Sequence, residues 1–224
     1  MIDIKKAREA RLAYKKAQAE IGDSKQYIGL PYDEMYEVYG LMKPKQAEKF
    51  IEDWVANLIG GKKINKSEAS SEFSKCDLGD IQLSKGPLKV GINNIELKCI
   101  FQEGSDKIGG GQLRFFEPIA GYMFFKSIDE KNYEMFLLTK DQLIQEIKER
   151  AIKSGRSAFC SSQGSNDIKG STEERLARLD ENVAGLRTDK IGWDFNMKTE
   201  KEYYESFKAK YLVTPDTLKN KHEV

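Results

Sequence analysis

A chain of 224 residues, 39% hydrophobic and 33% charged, with 11 Phe, 10 Tyr and 2 Trp, can bury a substantial core and is not disordered in composition. Its formal net charge of +1 does not announce a polyanionic partner, although an enzyme with an acidic metal site can be near neutral and still hold a basic cleft. Cys76, Cys99 and Cys160 have no CxxC spacing, no run approaches the roughly 20 apolar residues of a membrane span, and MIDIKKAREARLAYKK has no apolar signal core, so the expectation is a cytoplasmic protein without a disulfide framework or a membrane partner.

Residues 3–20 are charged and helix-favouring, with Tyr14 among scattered alanines, which suits an arm or a dimer element. Lys5, Lys6, Arg8, Arg11, Lys15 and Lys16 can meet phosphates, although a solvated helical face is the simpler account. Residues 45–59 place Phe50, Ile51, Trp54, Val55, Leu58 and Ile59 at helical spacing, and Gly60-Gly61 supplies a stop. From residue 77 the pattern changes to short strands, near 79–84, 88–92 and 94–101, broken by Lys85-Gly86-Pro87 and Asn93-Asn94. The stretch GSDKIGGGQLRFF reads as a glycine-rich loop, and EPIAGYMFFKSI, over 117–128, as a helix with Pro118 in its first turn.

Residues 133–138 read as a buried strand, and 142–152 as a helix capped by Asp141 and packed through Leu143, Ile144, Ile147 and Ile152. A strand at 157–162 precedes the polar loop QGSNDIKGS. Ser171 and Glu174 form a capping box for a helix over 172–186, and a last helix, 199–212, carries Tyr203, Tyr204, Phe207 and Tyr211 as packing residues. The fold class is α/β (α+β): a central mixed β-sheet flanked by helices, with a βαβ unit from 94–101, 117–128 and 133–138. One domain is expected, with a helical N-terminal region (1–66), a core (67–165) and a helical C-terminal region (166–224).

Glu96-Leu97-Lys98 puts an acid and a base on one face of a strand whose other face, Ile95, Leu97 and Cys99, is apolar. The ordinary reading is a surface ion pair. An acid two residues before a lysine occurs six times, at Asp3, Asp23, Glu96, Asp129, Glu146 and Asp167, so the tripeptide alone means little. Glu96-Leu97-Lys98 alone lies in a clear strand and is preceded by an acid in similar strand context: Asp80, 16 residues upstream, beside Gly79. Asp77 competes for the same place.

An acid on one strand followed by Glu-x-Lys on the next resembles the PD-(D/E)XK nucleases, a superfamily that includes many Type II restriction endonucleases. The likeness covers residues 68–165, with Gly79-Asp80 standing where the family has proline before the acid. It implies a restriction-endonuclease-like core with helical extensions, and a metal held by Asp80, Glu96 and the backbone carbonyl of Leu97. The metal would be Mg²⁺, with Mn²⁺ as a substitute. Lys98 would orient or deprotonate the attacking water, so that Asp80, Glu96 and Lys98 form the catalytic set. A supporting upstream glutamate is implied too, with Glu72 ahead of Glu68 as its candidate.

Lys107, Gln112 and Arg114 in the glycine-rich stretch suit contact with a DNA groove, Gln pairing with adenine and Arg with guanine; a plain connecting loop fits equally well. Arg156, Ser161, Ser162, Gln163 and Asn166 surround the end of the expected strand at 157–162, with Ser161, Ser162 and Gln163 preferred as readers. The stretch lacks the Lys-Ser/Thr of a phosphate-binding loop, and a single histidine, His222, leaves histidine-based nucleases and Ser-His-Asp triads without a residue. The expectation is a bacterial homodimeric Type II restriction endonuclease cutting a specific, palindromic site in double-stranded DNA. The alternatives are a repair or mobile-element nuclease with the same core, and a non-catalytic DNA-binding or interaction domain.

Overall fold

The computed structural model describes residues 4–64, 78–83, 88, 93–101, 105–154, 171–184 and 191–219. The elements in chain order begin with α1 (Ile4–Glu20), a short 3-10 turn (Ser24–Tyr27), α2 (Tyr32–Leu41), α3 (Pro44–Leu58), β1 (Lys62–Lys63), β2 (Ile81–Leu83) and β3 (Asn93–Ile100). They continue with β4 (Lys107–Leu113), β5 (Ile119–Ser127), β6 (Tyr133–Thr139), α4 (Lys140–Ser154), α5 (Thr172–Val183), β7 (Ile191–Asn196), α6 (Lys201–Tyr211), β8 (Leu212–Val213) and α7 (Pro215–Lys219).

Six strands form one mixed sheet in the order β1-β2-β3-β5-β6-β8, in which β3 and β5 run parallel and every other pair antiparallel. The strands at its centre are covered on both faces, and their side chains alternate between two apolar layers. Met123 and Phe125 of β5 and Met135 and Leu137 of β6 pack with Met35 of α2 and Phe50, Ile51, Trp54 and Val55 of α3. Tyr122 and Phe124 of β5 and Phe136 and Leu138 of β6 pack on the opposite side with Leu143 and Ile147 of α4, Leu179 of α5 and Phe207 of α6. The sheet flanked by helices is thus as expected.

The segment over 117–128 is strand β5, where a helix was expected. Its residues are nearly all buried, because β3 and β6 flank it and both faces are covered. Such a strand loses the apolar–polar alternation and reads as a continuous apolar run, which periodicity cannot tell from a buried helix. The proposed βαβ unit is corrected accordingly: β5 and β6 form an antiparallel hairpin, and the crossover from β3 to parallel β5 carries β4 instead of a helix.

The glycine-rich stretch is not a loop either. β4 pairs with β7 in a separate antiparallel ladder, Ile108 opposite Phe195 and Gly110 opposite Trp193. Gly109 has φ +138°, and a Cβ there would lie 2.1 Å from the Trp193 carbonyl oxygen, so this ladder admits no side chain at that position.

Several ends follow local chemistry. α3 stops as expected, with Gly60 at φ +69° and the Gly61 N–H donating to the Ala56 carbonyl at 2.8 Å, a Schellman closure. The Ser171–Glu174 capping box is present in both directions. The cap of α4 is Thr139, not Asp141: the Gln142 N–H donates to Thr139 Oγ1 (3.1 Å) while the Thr139 N–H donates to Gln142 Oε1 (2.8 Å). Of the expected strands at 88–92 and 157–162, all but Leu88 lies outside the described residues. Among the described residues no helix is long and apolar enough to cross a membrane.

The tyrosines of α6 pack, as expected, and their hydroxyls are tied to the buried Glu146 and the partly buried Glu134. Tyr203 and Tyr211 donate to Glu146 at 2.6 and 2.7 Å, and Tyr204 donates to Glu134 at 2.6 Å. Burial first, and the adjacent carboxylate second, push Tyr204 up to about 12 and raise Tyr203 and Tyr211 as well. Burial also pushes Tyr32, which donates to Ser127 at 2.8 Å, up to about 12. Unfolded tyrosines lose their protons near pH 10, so above that pH the folded chain binds more protons than the unfolded one, and stability falls. The expected result is a melting temperature that drops from pH 10 toward 12, with tyrosinate absorbance rising in step with unfolding. Full tyrosine ionisation in a still-folded chain would contradict it.

Candidate active site

β2 is short, and its pairing with β3 ends at Ile81 opposite Ile95. Just beyond that point the regular ladder ends in a fork, where Asp80 sits with its main chain still against Ile95. Its N–H donates to the Ile95 carbonyl (2.9 Å), its carbonyl accepts from the Ile64 N–H (2.8 Å), and its Oδ2 accepts from the Leu97 N–H (2.9 Å). Three hydrogen bonds, two to β3 and one to Ile64 after β1, therefore fix this buried residue, one of them directly on its carboxylate.

A strand residue presents its N–H and C=O along the same edge. Because the Leu97 N–H reaches Asp80, the Leu97 carbonyl faces that edge as well. The Leu97 side chain belongs to the α3-side core, as does that of Ile95, and Glu96 and Lys98 project to the other face. There Lys98 Nζ donates to Glu96 Oε1 at 2.5 Å, and both side chains are largely buried. The strand setting that singled out Glu96-Leu97-Lys98 in the sequence is thus present, and this is no solvated surface pair.

Gly79 accounts for the missing proline. Its φ is +83°, which a proline ring locked near −65° cannot adopt, and a Cβ would lie 2.9 Å from the Ile95 carbonyl oxygen. Gly110 of β4 has a different duty: a Cβ there would lie 2.9 Å from Lys98 Cγ and 3.1 Å from Cδ. The glycine lets β4 lie directly on the aliphatic stem of Lys98 and so aims its ammonium.

Asp80, Glu96, Leu97 and Lys98 line one cleft of ≈ 670 Å³. Its other walls are Tyr39 of α2, Lys45, Glu48 and Glu52 of α3, and Gly111 and Arg114 at the end of β4. Glu52 also pairs with Lys63 at 2.9 Å. The electrostatics of the cleft register on Cys99, whose thiol is pushed well up by burial and then by the negative charges of Asp80 and Glu52, against the pull of Lys98. Burial, then Cys99 and Glu48, raise the Tyr39 hydroxyl.

Arg114 is brought to the cleft with the acidic residues, its guanidinium 5.9 Å above the Phe116 ring. Gln112 lies on β4. Lys107 is turned to the opposite strand, 3.5 Å from Asp194 and exposed. Arg156, Ser161, Ser162, Gln163 and Asn166, together with Glu68, Glu72 and Asp77, lie outside the described residues.

Sequence reasoning missed Tyr39, Lys45, Glu48 and Glu52. Glu48 and Glu52 are one turn apart and border the apolar stripe of Ala47, Ile51 and Val55, a pattern visible in the sequence. What the sequence does not carry is which end of the sheet that helix crosses.

Asp80, Glu96 and the Leu97 carbonyl could offer hard oxygens to a metal, the donors that Mg²⁺ and Mn²⁺ take rather than thiophilic metals. Among the described residues, no three His, Cys, Asp or Glu side chains gather closely enough to cage a metal by themselves. Mg²⁺ requires no such cage, since it retains waters and takes one or two carboxylates plus substrate phosphate. Compared with known proteins, the chain matches no family model, no curated protein and no solved structure.

Proposed function

We propose that this protein is a Mg²⁺-dependent endonuclease of the PD-(D/E)XK type that hydrolyses phosphodiester bonds of double-stranded DNA. In its specific form it is a Type II restriction endonuclease, with a restriction-endonuclease-like core, acting as a homodimer on a palindromic site. The observation that carries this reading is the convergence of Asp80, Glu96 and Lys98 at the fork where β2 leaves β3, inside one cleft.

Asp80 and Glu96 would hold the metal, with the Leu97 carbonyl on the same edge. A divalent ion so bound supplies a Lewis acid for the phosphoryl oxygens and a more acidic water. Lys98 carries a positive charge at the place where negative charge grows on the phosphorus oxygens, and its ammonium orients the attacking water. The ion pair with Glu96 keeps that charge in place before substrate arrives. Glu48 and Glu52, on the cleft wall, join Glu72 as candidates for a supporting helical glutamate. Arg114 and Lys45 offer cations to the DNA backbone at the cleft wall.

Incubation of the purified chain with plasmid and phage DNA, in Mg²⁺, Mn²⁺ or EDTA, tests the reading. Discrete fragments that require the metal are expected. A smear would favour a repair or mobile-element nuclease with the same core. DNA that is bound but never cut with any divalent ion would leave a non-catalytic DNA-binding domain.

A further inference from the structure

Helix α1 carries a charge pattern that works against its own stability. Residues 4–20 include six basic side chains against Glu9 and Glu20, with no acidic residue in the first turn and no basic residue in the last. Lys5 and Lys6 occupy the first turn and Glu20 the last, each opposing the helix macrodipole. A polyanion beside the N-terminal turns would offset the part of that penalty due to Lys5 and Lys6.

Five of the six basic positions, all but that of Lys6, are also gathered on one side. At 100° per residue, positions 5, 8, 11, 15 and 16 fall within an arc of roughly 140°, bordered by Glu9 and Glu20. Tyr14 lies on the other side of the helix, where its hydroxyl donates to the Gly40 carbonyl at 3.1 Å. Arg11, Lys15 and Lys16 are exposed, and the contact of Lys16 with Glu20 is a loose 3.9 Å in open solvent. Leu12 lies in the same arc, 68% exposed, with only the small Ala19 at heptad spacing from it, too little for a seam with a second copy.

The anchor of α1 is on α2, next in sequence to a residue of the cleft wall. Gly40 follows Tyr39, whose ring lines the cleft. The cleft walls hold Glu48, Glu52, Asp80 and Glu96 against Lys45, Lys98 and Arg114, one acid in excess, which leaves a weak repulsion toward a nucleic-acid backbone. Cations just outside it would offset that repulsion.

We propose that α1 is a phosphate-tracking arm, which binds the backbone of duplex DNA alongside the cleft without reading sequence. The assignment of DNA to the cleft rests on the nuclease reading. The charge pattern and anchorage of α1 do not.

The test compares the intact full chain with its R11Q/K15Q/K16Q variant, binding a labelled duplex of arbitrary sequence in EDTA or Ca²⁺ over a range of salt. The variant is expected to show a log Kd against log salt slope shallower by about 2–3, and binding roughly tenfold weaker at low salt, equally for all sequences. Its cleavage rate at saturating DNA should match that of the unsubstituted chain. An unchanged slope overturns the proposal. So does a change in solution mass, which would assign α1 to an interface between copies, or a preference of the unsubstituted chain for phosphatidylserine vesicles over duplex. Cleavage with an unchanged slope would remove the arm and leave the nuclease; an α1-dependent slope without cleavage in any divalent metal would remove the nuclease and leave the arm.

Discussion

Glu96→Gln, Asp80→Asn and Lys98→Ala are each expected to lower metal-dependent plasmid cleavage by a factor between about a hundred and ten thousand, the range lost when one charge-stabilising or proton-handling group is removed. Glu96→Gln keeps the side-chain size and can still meet Lys98, so its loss of activity would reflect the missing charge. Asp80→Asn keeps an oxygen able to accept from the Leu97 N–H, so the fork can persist without a metal ligand. Loss of supercoiled plasmid over time measures the effect, and an unchanged circular dichroism spectrum shows that the fold is retained. Full activity in any one variant would remove that residue from the site. Gly110→Val is a graded companion. A Cβ at position 110 meets the stem of Lys98, which is flexible enough to give way. The expected result is impaired cleavage with near-normal DNA binding, since the ammonium is moved and not deleted.

Phe125→Ala is expected to be the most destabilising single substitution, by about 3–5 kcal/mol, as for other fully buried aromatic truncations. Phe125 is completely buried and lies at the centre of an aromatic cluster. Its ring is stacked with Phe101 (centroids 5.5 Å apart, 11° between planes) and Tyr133 (5.0 Å, 18°), edge-on to Trp54 at 5.9 Å, and tilted against Tyr32 at 6.2 Å. Phe101 in turn stacks on Tyr39 at 4.3 Å, and Tyr39 forms part of the cleft wall. Thermal unfolding should show a melting temperature lower by roughly 6–20 °C. A change of less than a degree or two would mean that the cluster contributes little beyond filling space.

The local features of this chain were the most legible. The helices over 45–59 and 199–212, the Ser171–Glu174 box and the strand of Glu96 depend on spacing and end chemistry that a single sequence displays. The choice of Asp80 came from its place before Ile81-Gln82-Leu83, and the fork gives that residue three fixed bonds. Where the reading failed, the deciding information was non-local. β5 is apolar throughout because neighbours cover both faces, and no residue within it says so. Gly109 and Gly110 looked like loop residues, whereas they are strand glycines pressed on Trp193 and Lys98. Glu48 and Glu52 were legible as the border of a helix face, but their arrival beside Asp80 depends on how α3 crosses the sheet.

The β4–β7 ladder also sets an order of assembly. β4 pairs with a strand about 80 residues later in the chain, Leu113 with Ile191 and Lys107 with Asn196, whereas β2 and β3 are near neighbours in sequence. Long-range pairings of this kind form late, because the intervening chain must first be brought back. During synthesis, Asp80, Glu96, Lys98 and β4 can emerge from the ribosome while β7, the strand that pairs with β4, is still missing. The β4–β7 ladder is thus completed only after Ile191–Asn196 has emerged, so a nascent chain released early would carry Asp80, Glu96 and Lys98 without the strand that pairs with β4, whose Gly110 lies on Lys98.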